Sequence, residues 1–442
     1  MRRQLGSYEN ALVITNAHSP LNAVTVLQMY PYPSIEVLSK AFRIIQKRNP
    51  LLRAHITREH HTNYFVVDDL LDIPIKVEVR NGDGHWLAIV ERELNRPFSS
   101  DQSPLLRCIY LKPKEDKLNA EIILTLQHTI MDGVSGVQIL HEIMHTCQMI
   151  ELDEGTIVLP TLPLYPSADQ SFPASYKGFR KNIPLLGYMI RQIAEEAGYR
   201  WRTRNELRSP VHPGSPNKAI SLVLDASLTG SLLQQCRKRR ITMNSLLNAA
   251  LNLGLNRTWY KRDSTSLQTI TFADLRPYLE PPVSEEHLGT YISMLRYTIP
   301  VSIKEDVWEL ARELQSRMDI SFKRGEKFLA PLMIENLMRL MLRLKNFRMA
   351  TTAVSYSGIT DIDQTFGPFK ILNVHGFVSN LDFGPIYTAQ VHIFADRLYW
   401  DIVYLEKEIN KDAANNVAED IKLILQSASA ENEIGVASSS SI

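Results

Sequence analysis

The sequence predicts an α+β protein built as two halves of similar size. Three observations carry that reading. Strand-like and helix-like signals alternate through both halves of the 442 residues, a length that suits two or three units at roughly 150 residues each. Two proline-rich joints interrupt the alternation, at 151–175 (ELDEGTIVLPTLPLYPSADQSFPAS) and at 209–217 (SPVHPGSPN), and the second reads as an exposed linker. The composition, 44% hydrophobic and 22% charged, supplies enough apolar surface for a packed core. The expected organisation is therefore a first lobe over 1–208, a linker over 209–217 and a second lobe over 218–428. The serine-rich end, 429–442, reads as a frayed tail.

Taken in order, Ala11 to Thr15 and Ala23 to Met29 are short runs rich in Val, Ile, Leu and Thr and read as strands. Pro33-Ser34-Ile35-Glu36 opens a helix with Ser34 as its N-cap; Leu38, Phe42, Ile44 and Ile45 form its apolar stripe, and Pro50 closes it. LLRAHI then looks like a strand entering the core. A helix over His85 to Leu94 stops before Pro97-Phe98. Beyond the linker the alternation resumes to about residue 428, with no tandem repeat at short period.

Several function classes fall away. Forty-nine Lys and Arg against 48 Asp and Glu leave a net charge of +1, so no global field draws the chain to nucleic acid. Cys108, Cys147 and Cys236 lie far apart, without a CxxC pair, which suits a reducing compartment. The opening residues lack the apolar run of a signal peptide, and no stretch reaches the roughly 18 apolar residues of a membrane span. A cytoplasmic globular protein is the expectation. GxSxG, Walker A and GxGxxG are all absent, so serine-hydrolase, P-loop and dinucleotide readings have no support.

The sharpest local signal is LNAEIILTLQHTIMDGVSGVQIL. Ala120, Ile122, Leu124, Leu126 and His128 share one face of a strand, and Glu121, Ile123, Thr125 and Gln127 the other. Asp132-Gly133 makes a tight turn before a helix that begins near Ser135. His128, last on a rigid apolar strand, suits a general base, because imidazole titrates near neutrality. A satisfied structural histidine is the bland alternative. Asp132 can orient that imidazole, or pair with an arginine and hold the turn. Gly133 leaves room for a ligand or another backbone.

His128-Thr-Ile-Met-Asp132-Gly133 resembles the HxxxDG motif of the CoA-dependent acyltransferase superfamily. That superfamily includes chloramphenicol acetyltransferase, plant acyltransferases, peptide-synthetase condensation domains and stand-alone alcohol acyltransferases. LSKAFRIIQKRNPLLRAHI (38–56) is similar to the opening helix and strand of condensation domains, and RPFSSDQSPLLRCIYL (96–111) to their "PFD…GPLLR" phrase. CRKRRITMNSLLNAALNLGL (236–255), TFADLRPYLEPPVSEEHLGTYISMLRYTIPV (271–301) and VSYSGI (354–359) with TFGPF (365–369) resemble later blocks, in the right order. The resemblance implies two chloramphenicol-acetyltransferase-like lobes, each a mixed β-sheet packed with helices, and an active-site channel between them. It implies that His128 is the base, that Asp132 forms a salt bridge to Arg276 of the second lobe, and that the donor's pantetheine arm passes Gly133. Tyr356 and Ser357 are implied as channel residues that hydrogen-bond a developing oxyanion. The donor would be acyl-CoA or an acyl carrier protein bearing phosphopantetheine, used as co-substrate with no permanently bound cofactor and no metal. The acceptor would be a small-molecule or lipid alcohol, and the protein a monomer.

Departures from the condensation domains refine this. The first histidine of their HHxxxDG is Gln127, and the Asn of their "GxFVN" phrase is Ser293. Gly6-Ser7-Tyr8-Glu9 replaces their opening phrase, and the "HxxxPFE" phrase has no good counterpart near 322–332. These differences favour the stand-alone alcohol acyltransferases, including the phthiocerol-type ester-forming enzymes. Amide formation by the same site and a non-catalytic carrier-docking module are the alternatives. Asp382-Phe383-Gly384 looks like a remnant of the plant "DFGWG" motif and is given no catalytic role.

Other signals compete. His141-Glu142-Ile-Met-His145 matches the HExxH zinc signature, without the usual third ligand at a suitable distance. Arg237 to Arg240, and Arg200 with Arg202 and Arg204, are basic clusters that suit CoA phosphates, an acidic carrier or a solvated helix end. FLAPLMIENLMRLMLRLKNFRM (328–349) reads as a core helix, the lining of an acyl tunnel or a helix in peripheral contact with a membrane.

Overall fold

The computed structural model describes residues 1–68, 72–102, 104–115, 119–153, 155, 157–203, 211–344 and 347–430. The first half runs β1 (Arg2–Gln4), α1 (Ser7–Asn16), β2 (Asn22–Met29), α2 (Ile35–Arg48), β3 (Ala54–Glu59), β4 (Thr62–Val67), β5 (Ile75–Val79), α3 (His85–Leu94), β6 (Leu106–Lys112), β7 (Ala120–Gln127), α4 (Gly133–Glu151) and α5 (Asn182–Thr203). The second continues with β8 (Asn217–Leu224), α6 (Ala226–Arg239), α7 (Met243–Leu255), β9 (Ser264–Asp274), β10 (Ile292–Ser302), α8 (Val307–Lys323) and α9 (Glu326–Met341). It closes with β11 (Thr352–Ile359), β12 (Thr365–Phe366), β13 (Phe369–Val378), β14 (Tyr387–Phe394), β15 (Arg397–Leu405) and α10 (Lys411–Ala430).

Two six-stranded mixed sheets organise these elements, as an α+β fold of two lobes requires. The first has the order β12-β13-β2-β7-β6-β5 and the second β10-β9-β11-β14-β15-β8; β1, β4 and β3 form a small antiparallel sheet. In the first sheet the β13–β2, β2–β7 and β7–β6 pairs are antiparallel, and β5 adds to β6 in parallel at the edge. In the second, β11 runs parallel to both β9 and β14. Helices α2 and α4 bury their stripes on one face of the first sheet. Helix α3 covers its other face through Ile89, Val90 and Leu94, and Ala219 and Val403 of the second sheet join the same cluster. Helices α6, α7, α8 and α10 pack on the second sheet.

The local signals for α2 act as read: Ser34 Oγ accepts the Val37 N–H at 3.2 Å, and Leu38, Phe42 and Ile45 are buried. Pro50–Arg53 form a 3-10 turn, so the strand begins only at Ala54. The Ala11–Thr15 run is helical, contrary to the strand expected there. Tyr8, Ala11, Leu12 and Thr15 recur at helical spacing on one buried face, and α1 lies against α9. A short apolar run does not distinguish strand from buried helix; tertiary packing decides.

The lobes are not the two halves of the chain. β13 leaves the second half and pairs with the free edge of β2, from Ile371↔Met29 to Val378↔Ala23, and β12 adds to β13. Helix α5, from the first half, lies on the second lobe, where Tyr188 joins the core. Of the expected linker, residues 211–216 connect to β8, which opens at Asn217. Residues 204–210 and 431–442 lie outside the described residues, while Ser429 and Ala430 belong to α10.

Candidate active site

Strand β7 is buried on both faces, with Ala120, Ile122, Leu124 and Leu126 in the core of the first lobe and Ile123 on the α3 side. His128 follows it directly. Its backbone N–H donates to the Leu21 carbonyl at 3.0 Å, which extends the β2–β7 pairing by one step and fixes the Cα. The imidazole Nδ1 lies 2.7 Å from the Met131 carbonyl oxygen. A carbonyl only accepts, so Nδ1 is the donor, and in the neutral imidazole that tautomer places the lone pair on Nε2. His128 lines the cavity between the lobes.

Asp132 caps α4 and holds the second lobe. Its Oδ1 accepts from Ser135 N at 2.9 Å and Arg276 Nη2 at 3.0 Å; its Oδ2 accepts from Arg276 Nη1 at 2.8 Å and Tyr291 N at 2.9 Å. Its oxygens therefore serve the turn and the lobe junction. Burial alone would raise its pKa, but the Arg276 charge and these hydrogen bonds outweigh burial and hold the carboxyl below its ordinary value. Arg276 is 1% exposed, stacks over the Tyr291 ring at 4.7 Å, and also donates to Asp274 Oδ1 at 3.2 Å and Ser135 Oγ at 3.0 Å. Ser135 Oγ in turn donates to the Gly289 carbonyl and lies 3.1 Å from the Gly289 N–H. A Cβ on Gly289 would sit 2.6 Å from the Tyr291 ring, so the junction closes only around glycine.

Gly133 is exposed at the cavity wall, and a Cβ there would meet nothing within 4 Å. The cavity itself has two characters. At one end Leu12 of α1, Phe272 of β9, Met294 of β10 and Ile334 and Met338 of α9 give an apolar lining. Elsewhere Ser355 and Ser357 of β11, Thr360, and Gln390 and His392 of β14 present polar atoms. His392 Nε2 donates to the Val374 carbonyl at 3.1 Å, and burial lowers its pKa, so the ring is neutral with Nδ1 unprotonated.

Ser357 lines the channel, and Tyr356 does not. The period of two along β11 turns Tyr356 to the opposite face, against the core of the second lobe, where burial pushes its hydroxyl up to about 12. Sequence reading missed Gln390 and His392 because they sit on β14, whose register alone aligns them with β11, as the Ser355↔Gln390 pair shows, and it missed Thr360, which directly follows β11. It also missed a buried network in which Ser221 Oγ donates to Asp401 at 2.7 Å and His375 Nδ1 lies 3.0 Å from the same oxygen.

The competing motifs resolve locally. Glu142 is taken up by Asn49 Nδ2 at 2.7 Å, Arg48 Nε at 3.2 Å and Gln138 Nε2 at 3.2 Å, so α4 uses it to hold α2. His141 lies 3.8 Å from Asp363 and its ring is 6.1 Å from that of His145. Among the described residues no three His, Cys, Asp or Glu side chains gather to hold a metal ion. Arg237 and Arg239 end α6, and Arg239 stacks over Trp308 at 4.8 Å. Arg200 pairs with Glu196 at 2.7 Å, and Arg204 lies outside the described residues. Asp382 accepts from Gly214 N and Ser215 N at 2.9 and 3.2 Å and so ties down the connection between the halves. Within 328–349, the helix ends at Met341; Ile334 and Met338 face the cavity, while Leu340 and Leu344 are exposed.

A histidine fixed at a strand end, an aspartate loop gripped by an arginine of the other sheet, and a cavity between two mixed sheets together define the class: a two-lobed α+β protein with its candidate site at the lobe junction. The condensation-domain family model matches residues 13–168, and that of the phthiocerol/phthiodiolone dimycocerosyl transferase C-terminus matches 214–362. The chain belongs to the CoA-dependent acyltransferase and condensation-domain superfamily. It is similar to cyclosporin synthetase of Tolypocladium inflatum, 20% identical over 84% of this chain and 2% of that one. It is also similar to a probable alcohol acetyltransferase of Aspergillus fumigatus, 23% identical over 51% of this chain and 47% of that one. The chain thus spans less than half the length of either curated relative. Its fold is shared with a trichothecene 15-O-acetyltransferase of Fusarium sporotrichioides, with a TM-score of 0.78 at 13% identity over 97% of this chain and 95% of that one. Acyl transfer is the chemistry these relationships carry.

Proposed function

We propose that the chain moves an acyl group from a CoA or carrier-protein thioester to an alcohol and forms an ester, with His128 as the base. The observation that supports this most directly is the 2.7 Å contact from His128 Nδ1 to the Met131 carbonyl, which in the neutral imidazole selects the tautomer with the lone pair on Nε2, on a side chain that lines the cavity. A thioester is already activated. Attack on it needs an oriented hydroxyl, a proton acceptor and a donor for the oxyanion, and no covalent enzyme intermediate. Nε2 takes the hydroxyl proton as the oxygen attacks the thioester carbon, and the proton then goes to the departing thiolate. Ser357 is the candidate oxyanion donor on the polar wall. Asp132 and Arg276 act through the loop and are positioning residues.

Gln127 supports the ester over the amide. It stands where peptide-forming domains carry a first histidine, is fully buried, and donates to Ser100 Oγ at 2.8 Å, away from the chemistry. The likeness to peptide synthetases keeps amide formation as the second reading. Free-thiol release from a panel of acyl-CoAs, with an alcohol pool or an amine pool, on the native protein and His128→Ala, tests both. Alcohol-dependent release that falls by about 10²-fold or more in the variant is expected. Amine-dependent release alone would establish the second reading, and release that survives the substitution would end the role of His128 as base.

A further inference from the structure

Helix α5 carries an outward face with an unusual composition. Its exposed positions are Asn182, Ile183, Leu186, Ile190, Ile193, Ala194, Ala197, Trp201 and Arg202. Seven of these nine are apolar, and they repeat at three- and four-residue steps. They therefore form one stripe of about 100° of arc that runs for ~27 Å from Ile183 to Trp201. The side chains are not marginally exposed: Ile183 is 84%, Ile193 66% and Trp201 82% accessible, and Phe179, just ahead of the helix, is 92%. Elsewhere in the described residues no helix presents such a run. A water-facing apolar patch of this extent marks a surface that meets something apolar.

Charge is sorted around the stripe. Both acidic residues of α5 are turned to the second lobe: Glu195 accepts from Thr298 N at 2.7 Å, and Glu196 accepts from Gln268 Nε2 and Arg296 Nη1, each at 3.0 Å. Lys177 and Arg180 are exposed beside Phe179, Lys181 flanks them, and Arg202 is exposed beside Trp201. The outward side is thus apolar in the middle and cationic at both ends, with the anions withdrawn. Aromatic residues at the two ends, with cations beside them, suit the boundary between acyl chains and headgroups. No helix of the described residues is long and apolar enough to cross a membrane, so α5 would lie in the interface.

We propose that the outward face of α5, from Phe179 to Trp201, docks on the surface of an anionic lipid bilayer. The stripe enters the headgroup region and the cations meet lipid phosphates and carboxylates. The opposite face of α5 stays on the second lobe next to α9, which lines the cavity through Ile334 and Met338. Docking therefore holds the catalytic cavity one helix away from the bilayer.

Vesicle flotation of the full chain tests this, with phosphatidylcholine vesicles alone and with vesicles containing about one-third phosphatidylserine. The native protein is expected to float with the anionic vesicles. The double substitution Ile190→Glu and Ile193→Glu, at exposed positions that leave the core intact, is expected to lower the floated fraction by about tenfold or more. Lys177→Glu with Arg180→Glu is expected to lower it on anionic vesicles, and added salt to do the same to the native protein. Native protein that stays at the bottom with both vesicle types overturns the proposal, as does flotation indifferent to the Ile190/Ile193 change. A dimer in sedimentation velocity that this double variant dissociates, without flotation, assigns the face to a second copy and also overturns it.

Discussion

Arg276 grips Asp132 through two near-parallel hydrogen bonds of 2.8 and 3.0 Å, and so joins the second lobe to the loop that follows His128. The pair is fully buried, so removing one partner strands the other charge. Arg276→Ala is expected to cost about 3–5 kcal/mol in urea unfolding, and Arg276→Lys most of that, because one ammonium cannot serve both oxygens and Ser135. The pH dependence has a definite sign. The Asp132 pKa is lowered in the folded state, so its contribution is complete above the ordinary aspartate range and is lost as pH falls through the folded value. Asp132→Asn should flatten that acid limb while lowering stability at neutral pH. An unchanged acid limb would mean that other carboxylates set it.

His128→Ala should separate activity from stability. Among the described residues the imidazole's hydrogen bond is to the Met131 carbonyl, so its loss should cost on the order of 1 kcal/mol of stability. The fall in kcat/KM is expected to be about 10²- to 10⁴-fold. A fall in activity that tracks a large drop in Tm would instead make His128 a structural group.

What the sequence could show here follows the range of the interactions. β7, the turn at Asp132-Gly133 and the α2 cap are set by neighbours a few residues apart, and periodicity and capping find them. Arg276 lies 144 residues from Asp132 and was reachable only through family resemblance, which supplied a pairing that local chemistry had left open. Where neither local pattern nor family helped, the reading failed. The helical nature of Ala11–Thr15 depends on α9, which the chain reaches more than 300 residues later. The crossover of β13 into the first sheet depends on a free edge at β2, and the choice between Tyr356 and Ser357 depends on which face of β11 meets the cavity. The α5 stripe was written in plain sequence at helical spacing, but only exposure distinguishes it from a core stripe.

Gly133 tests passage beside the base. A Cβ there meets nothing, and the residue opens α4, where any side chain is compatible with the helix. Gly133→Leu is therefore expected to leave Tm unchanged or slightly higher, since Gly is the poorer helix former by up to about 1 kcal/mol. Activity should fall at least about tenfold, mainly through KM for the thioester, because uniform binding is what a blocked path removes. Full activity in Gly133→Leu would place the donor's path elsewhere.

The apolar end of the cavity should set the length of the acyl group. Leu12, Phe272, Met294, Ile334 and Met338 give this end a mainly apolar lining, and an acyl chain is the part of the substrate that needs no polar partner. Each methylene accommodated in such a pocket is worth about 1–3 kcal/mol in discrimination. Met338→Trp fills that space from α9 while the polar wall of β11 and β14 is left alone. Relative kcat/KM across an acyl-CoA series from acetyl upward should then shift toward the short chains by about tenfold or more for each pair of methylenes excluded. Because the site opposite His128 is untouched, transfer of acetyl should persist. A uniform loss across the series would mean that the substitution disturbs the fold or the base, and that the chain lies elsewhere.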